Sequence, residues 1–105
     1  MVDPKTTLII NVIAAILTTS SFLPQAIKTI KTKDTSGISM LMYLMFVTGV
    51  FFWGIFGIMI NNYPIIIANV VTFIFAGTVL VIKIKNSIKN FDKESIFVYR
   101  IFLKK

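Results

Sequence analysis

Residues 35–82 read TSGISMLMYLMFVTGVFFWGIFGIMINNYPIIIANVVTFIFAGTVLVI, a run of 48 positions without one charged side chain. A membrane-spanning helix needs about 20 apolar residues, so the run holds two crossings and a turn. The turn is Asn61-Asn62-Tyr63-Pro64, with the proline placed where the next helix can begin. A second uncharged run, residues 6–27, is 22 positions long and supplies one more crossing. The sequence therefore predicts an all-α integral membrane protein, a bundle of three transmembrane helices at about 6–30, 39–60 and 64–83. Residues 1–85 make up the transmembrane domain on this reading. Residues 86–105 follow as a basic amphipathic cytoplasmic tail, whose apolar run is interrupted by Arg100 and is too short to cross.

The net charge of +7 is a topology signal, because its placement is one-sided. Lys5 precedes the first span, and Lys28, Lys31 and Lys33 lie between the first and second. No cation separates the second and third, and seven follow from Lys83 to Lys105. Three crossings put ten of the 11 cations on one face. The positive-inside pattern then places the N-terminus outside and the C-terminus in the cytoplasm, in a cell inner (plasma) membrane. A bilayer, and no nucleic acid, is the expected partner of this charge. The first apolar segment exceeds a usual signal-peptide core and lacks a clear A-x-A-like cleavage site, so no cleavage is expected.

There is no cysteine and no histidine, and no Asp or Glu falls within a span. Thiolate and imidazole metal ligands and an intramembrane acid–base pair are thereby missing, so neither an enzyme nor a cofactor is expected. Proton-coupled carriers keep an ionisable group inside the membrane. None stands between Thr35 and Ile82, which fits a passive facilitator of a neutral solute.

Three features of the spans carry chemistry. In the first, Asn11, Ala14, Thr18, Ser21 and Gln25 recur at steps of three and four and share one face, the mark of a packed interface or a wetted cavity. In the second, Trp53 sits among Gly49, Gly54 and Gly57, roughly 12 Å in from the Asn61 turn and deeper than an interfacial aromatic belt. In the third, Asn69, followed by Thr72 and Ala76, lies roughly 9 Å in, so indole and amide share a depth. A flat aromatic face beside an amide that donates and accepts suits a sugar. Packing by the tryptophan, and an interhelical amide bond of about 0.6–2 kcal/mol, are the structural alternatives.

The stretch SSFLPQAIKTIKTKD, residues 20–34, places Pro24 inside the first helix. Proline has no N–H and crowds the carbonyl four residues back, here that of Ser20. Ser20, Ser21 and Thr18 are at hand to satisfy an opened backbone, and Gln25 can serve the same break. A bend at this point is expected.

The blocks FLPQAIKTIKTKDTSGIS, MYLMFVTGVFFWGIFGIM and IIIANVVTFIFA, in this order and spacing, resemble the PQ-loop signature and following helices of bacterial SemiSWEET sugar transporters. The resemblance spans about residues 7–85. It implies a half-transporter whose helices pack in the order first, third, second, and which assembles as a parallel two-fold homodimer. It implies alternating access for a small neutral sugar, a mono- or disaccharide, through a central cavity. By the same resemblance Trp53 and Asn69 bind substrate, Pro24 with Gln25 is a hinge, and Met42 and Phe46 narrow the inner gate. Relatives that close the outer gate with a tyrosine and an arginine–aspartate pair have Phe56, Ile60 and Asn62 at the matching positions here, so an ion pair is impossible.

A dimer also follows from size. Three helices cannot enclose the ~300 Å³ or more that small ligands occupy, whereas six can. Gly49, Gly57 and Ala76 are the small residues expected to let copies pack closely. Two other readings stand beside this one: a small pore-forming, holin-like membrane protein, and a PQ-loop carrier of another small neutral solute. A holin has no need of Pro24-Gln25 or of a Trp53–Asn69 pair at one depth.

Overall fold

In a computed structural model describing residues 2–104, the chain forms α1 (Pro4–Thr32), α2 (Met40–Met59) and α3 (Tyr63–Lys104), each apolar and long enough to cross a bilayer. Each helix begins on a side chain suited to capping. Asp3 accepts from the Lys5 amide (3.3 Å), Ser39 from that of Met42 (3.2 Å) and Asn62 from that of Ile65 (3.1 Å). α1 stops at Lys33, whose backbone turns left-handed (φ 56°) and whose N–H reaches the Thr29 carbonyl at 2.7 Å. α2 ends in a Schellman motif around Asn61 (φ 55°): the Asn62 amide donates to Gly57 (2.8 Å) and the Asn61 amide to Ile58 (3.1 Å).

The third helix departs most from the sequence expectation. It does not end near 83 but continues unbroken to Lys104. Charge stops a helix from crossing lipid; it does not stop the helix, and no glycine or proline follows Gly77. At about 1.5 Å per residue its 42 residues extend roughly 63 Å, twice a bilayer core of ~30 Å.

α3 is the middle of the bundle. Among the described residues α1 and α2 each pack along α3, and their backbones do not pack on each other, giving the spatial order first, third, second. Ala26 of α1, Tyr43 of α2 and Ala76, Val79 and Leu80 of α3 form the buried core, with Phe22, Val47 and Phe75 against it. On α2 the packed face repeats as Tyr43, Val50 and Gly57, a seven-residue spacing that suits shallow, left-handed helix crossing. Only 17% of the most apolar window of α2 is buried within the chain, 11% of that of α3 and none of that of α1. A single chain thus leaves most of its apolar surface for lipid or another protein.

Both ends are tied by polar contacts. At the Asn61 turn, Asn11 of α1 donates to the Asn62 side chain at 2.7 Å. At the other end the loop between α1 and α2 is clamped to α3. Lys83 Nζ donates to the Thr35 carbonyl (3.0 Å), and Asn86 donates to the Lys33 carbonyl and the Thr35 hydroxyl (both 2.9 Å). In that loop the Ser36 hydroxyl and then its amide bond Asp34 and hold its carboxyl below its usual value of 3.8. This contribution is complete above the unfolded value and is lost as pH falls through the lowered folded one.

Two of the small residues expected to serve contacts between copies are used within the chain. Ala76 is fully buried in the core, and Gly57 meets the first turn of α3. A Cβ on Gly57 would lie 2.9 Å from Ile65 Cγ2 and 3.2 Å from the Ile66 backbone nitrogen, whereas one on Gly49 meets nothing within 4 Å. Gly57→Ala is therefore expected to destabilise the protein by about 1–3 kcal/mol through overpacking. Gly49→Ala should leave stability unchanged or raise it by up to about 1 kcal/mol, the helix-propensity gain. Thermal unfolding of both variants in detergent checks the contrast; equal effects would contradict the packing.

Candidate functional site

α2 presents two faces. One packs on α3; beside it runs Met42, Phe46, Gly49, Trp53, Phe56 and Ile60, at steps of four and three and exposed throughout. The α2 residues that the resemblance assigns to substrate binding and to the gates, Met42, Phe46, Trp53, Phe56 and Ile60, fall on this second stripe. Trp53 is 57% exposed and stands edge-on to Phe56, ring centroids 5.6 Å apart. With Gly49 and Phe52 these two rings line an open groove of about 340 Å³. A Cβ on Gly49, one turn from Trp53, would meet nothing within 4 Å, so the groove is open on that side.

Asn69 reaches α2 at Gly54, where a Cβ would be 3.7 Å from its own. That places the amide next along the chain from Trp53 and at its depth. Its side-chain nitrogen donates to the Ile65 carbonyl one turn back (2.8 Å), which fixes the amide's orientation. Within one chain Asn69 and Trp53 do not share a pocket. Asn69 lines a different groove of about 230 Å³, with Phe51, Gly54, Ile58 and Phe73.

The polar stripe of α1 divides in the same way. Asn11 is half-buried and bonds Asn62, while Ala14, Thr18, Ser21 and Gln25 are exposed and make no contact that ties α1 to α3. α1 packs instead through Ala15, Thr19, Phe22 and Ala26. The hydroxyls of Thr18 and Ser21 fold back on carbonyls of their own helix, those of Ala14 (2.8 Å) and Thr18 (2.8 Å), in the turns before Pro24. Such back-bonding often bends helices. Pro24 itself is exposed and α1 stays helical through it.

The sequence reading had no signal for Phe22. Its ring lies 5.6 Å from that of Phe46, which also stands edge-on to Tyr43 at 6.2 Å. This aromatic contact joins the residues before Pro24 directly to the α2 stripe. Phe22 precedes Ala26 by one turn on the packed face, so its burial was readable, but its partner was not. Asn62 also carries more than expected: the same carboxamide oxygen caps α3 and accepts from Asn11. Phe56 and Ile60 lie a turn apart, the Ile60 amide donating to the Phe56 carbonyl (3.1 Å). A further groove of about 400 Å³ between α1 and α3 is walled by Val12, Ala15, Ile16 and Ile67 and contains none of the candidate residues.

Comparison with known proteins agrees with this arrangement. Residues 7–67 match the PQ loop repeat family. The chain is 49% identical to the sugar transporter SemiSWEET of Escherichia coli (strain UMEA 3162-1) over 81 residues, covering 77% of this chain and 91% of that protein. It is 47% identical to the sugar transporter SemiSWEET of Leptospira biflexa serovar Patoc over 76 residues, 72% of this chain and 89% of that one. A crystal structure of SemiSWEET in the inward-open conformation superposes with a TM-score of 0.81 at 47% identity, covering 87% of this chain and 98% of that one. Three helices in the order first, third, second, an uncharged interior and a proline–glutamine pair inside the first helix thus belong together: the chain is a member of the SemiSWEET family of PQ-loop proteins.

Proposed function

We propose that this protein is a passive sugar transporter that acts as a parallel homodimer and moves a mono- or disaccharide by alternating access. The observation that carries the reading is the exposed α2 stripe. It runs the length of the helix as Met42, Phe46, Gly49, Trp53, Phe56 and Ile60 and is exposed, with only Phe22 of α1 set against it at Phe46. The exposed amide of Gln25 on α1 is costly against lipid, and a second copy gives both stripes a partner. Across a two-fold axis, paired stripes form a channel-shaped cavity with the indoles midway along it and apolar constrictions at each end. The relatives' description as sugar transporters fits that lining.

In this mechanism Trp53 takes the C–H face of the sugar ring, and Asn69 exchanges hydrogen bonds with its hydroxyls. Met42 and Phe46 close the inner mouth. Phe56, Ile60 and Asn62 close the outer one by apolar contact and amide hydrogen bonds. Pro24, with Gln25 beside it, is the hinge, because a helix that lacks one backbone bond bends there at small further cost. Phe22, just before the hinge, packs against Phe46 of the inner gate, so a bend at Pro24 moves the inner half of α1 relative to that contact. The cytoplasm lies on the side of the Lys28–Lys33 loop and the C-terminus.

A cytoplasmic reporter fused after Lys85 should be active and a periplasmic one silent; the reverse result would overturn the orientation. Crosslinking of the purified chain in mild detergent should trap dimers, and a transport-competent monomer in nanodiscs would contradict the shared cavity. Pro24→Ala should restore a helical bond of about 0.5–1.5 kcal/mol and slow sugar exchange roughly two- to tenfold, with affinity nearly unchanged. Trp53→Ala and Asn69→Ala should instead weaken equilibrium binding, by roughly tenfold and fivefold respectively. Binding and exchange measured side by side in proteoliposomes separate these roles. A Pro24→Ala protein that folds and exchanges at the parental rate would remove the hinge from the mechanism.

A further inference from the structure

Where α3 leaves the uncharged run, four lysines from two parts of the chain converge. Lys33 in the α1–α2 loop and Lys83, Lys89 and Lys93 on α3 border a polar pocket of about 310 Å³, together with Asn86 and Asn90. Its one lining carboxylate, Asp34, already accepts from the Ser36 hydroxyl and amide. Four ammonium groups against one carboxylate leave the pocket three positive charges in excess.

The pocket has a built floor. Thr35 is 2% exposed, its carbonyl held by Lys83 Nζ and its hydroxyl by Asn86. These bonds press the loop onto α3, so Lys33 is fixed at one rim. Lys89 and Lys93, one turn apart on the exposed surface of α3, form the other. Both rim lysines on α3 exist as a wall only because the helix continues past residue 85. Sugar transport as described above makes no use of them.

Like charges so gathered repel unless an anion lies between them. Ammonium groups and carboxamide nitrogens are donors, and a tetrahedral phosphate, with oxygens on every side, is the acceptor that can meet several at once. The pocket also sits at the end of the apolar part of α3, the level at which lipid phosphates lie. We propose that this pocket binds a phosphate-bearing anion, held between Lys33 on the loop and Lys89 and Lys93 on α3. The phosphodiester of an anionic phospholipid and a free phosphate from the aqueous phase offer the same chemistry here.

The test uses the full chain in a non-ionic detergent, titrated calorimetrically with short-chain phosphatidylglycerol, short-chain phosphatidylcholine or inorganic phosphate. Three proteins are compared: the parent, Lys89→Gln with Lys93→Gln, and Arg100→Gln with Lys104→Gln. The last pair removes the same charge from the same helix outside the pocket. The parent should bind phosphatidylglycerol or phosphate saturably. The Lys89/Lys93 pair should weaken that binding roughly tenfold or more, and the Arg100/Lys104 pair by less than about twofold. Saturation by phosphatidylglycerol alone identifies a lipid as the ligand; saturation by inorganic phosphate identifies the phosphate group as sufficient. Absence of saturable binding by either anion, or equal weakening by both variant pairs, overturns the site.

Discussion

The close approach of Gly57 to the first turn of α3 is possible only because no side chain stands between them, and the arrangement of the other helices depends on it. In lipid, apolar side chains gain little by leaving their surroundings, so helices stay together through tight fit and a few polar ties. Gly57 supplies the fit at the Asn61 end, and Ala26 and Ala76 supply it near the opposite end. With α2 seated on α3 in this way, its face from Met42 to Ile60 is left exposed, apart from the Phe22 ring against Phe46. α1, seated on the other side of α3, turns its hydroxyl-bearing face outward as well. The exposed stripes are thus a consequence of how α3 is shared.

Polar groups divide into those that tie the chain to itself and those that are left over. Asn11, Asn62, Thr35, Lys83 and Asn86 bond between elements at the two ends. Thr18, Thr48 and Thr78 each return a hydroxyl to their own helix one turn back, which satisfies the donor without engaging a neighbour. Along the middle of the spans the amide of Asn69 likewise bonds only its own helix, at the Ile65 carbonyl. Concentrating the structural ties at the ends leaves the centre free to change its contacts.

Much of this was legible in the sequence. Two uncharged runs and one Asn-Asn-Tyr-Pro turn are enough to count the helices, because water-loving groups cannot be hidden in lipid. On α2, Trp53 stood out by its depth and its neighbouring glycines, whereas Met42, Phe46, Phe56 and Ile60 were indicated only by the resemblance to SemiSWEET transporters. The roles of small residues were not legible. Gly49, Gly57 and Ala76 look alike in a sequence, and only packing shows that Gly57 and Ala76 are spent inside the chain while Gly49 faces open space. The length of α3 was missed for a related reason: hydropathy reports where a helix must leave the membrane, and that boundary leaves no trace in the backbone. The clamp at Thr35 joins residues about 50 positions apart, a distance at which local pattern carries no signal.

The connection between α1 and α2 has to pass across α3, since the two helices lie on either side of it. Seven residues, 33–39, can reach at most about 23–25 Å when fully extended. The segment is shortened further by its turn at residues 36–37 and is anchored midway by Lys83 and Asn86. It therefore behaves as a short leash. However α1 moves, its Thr32 end cannot travel far from α2 unless the anchor at Thr35 lets go.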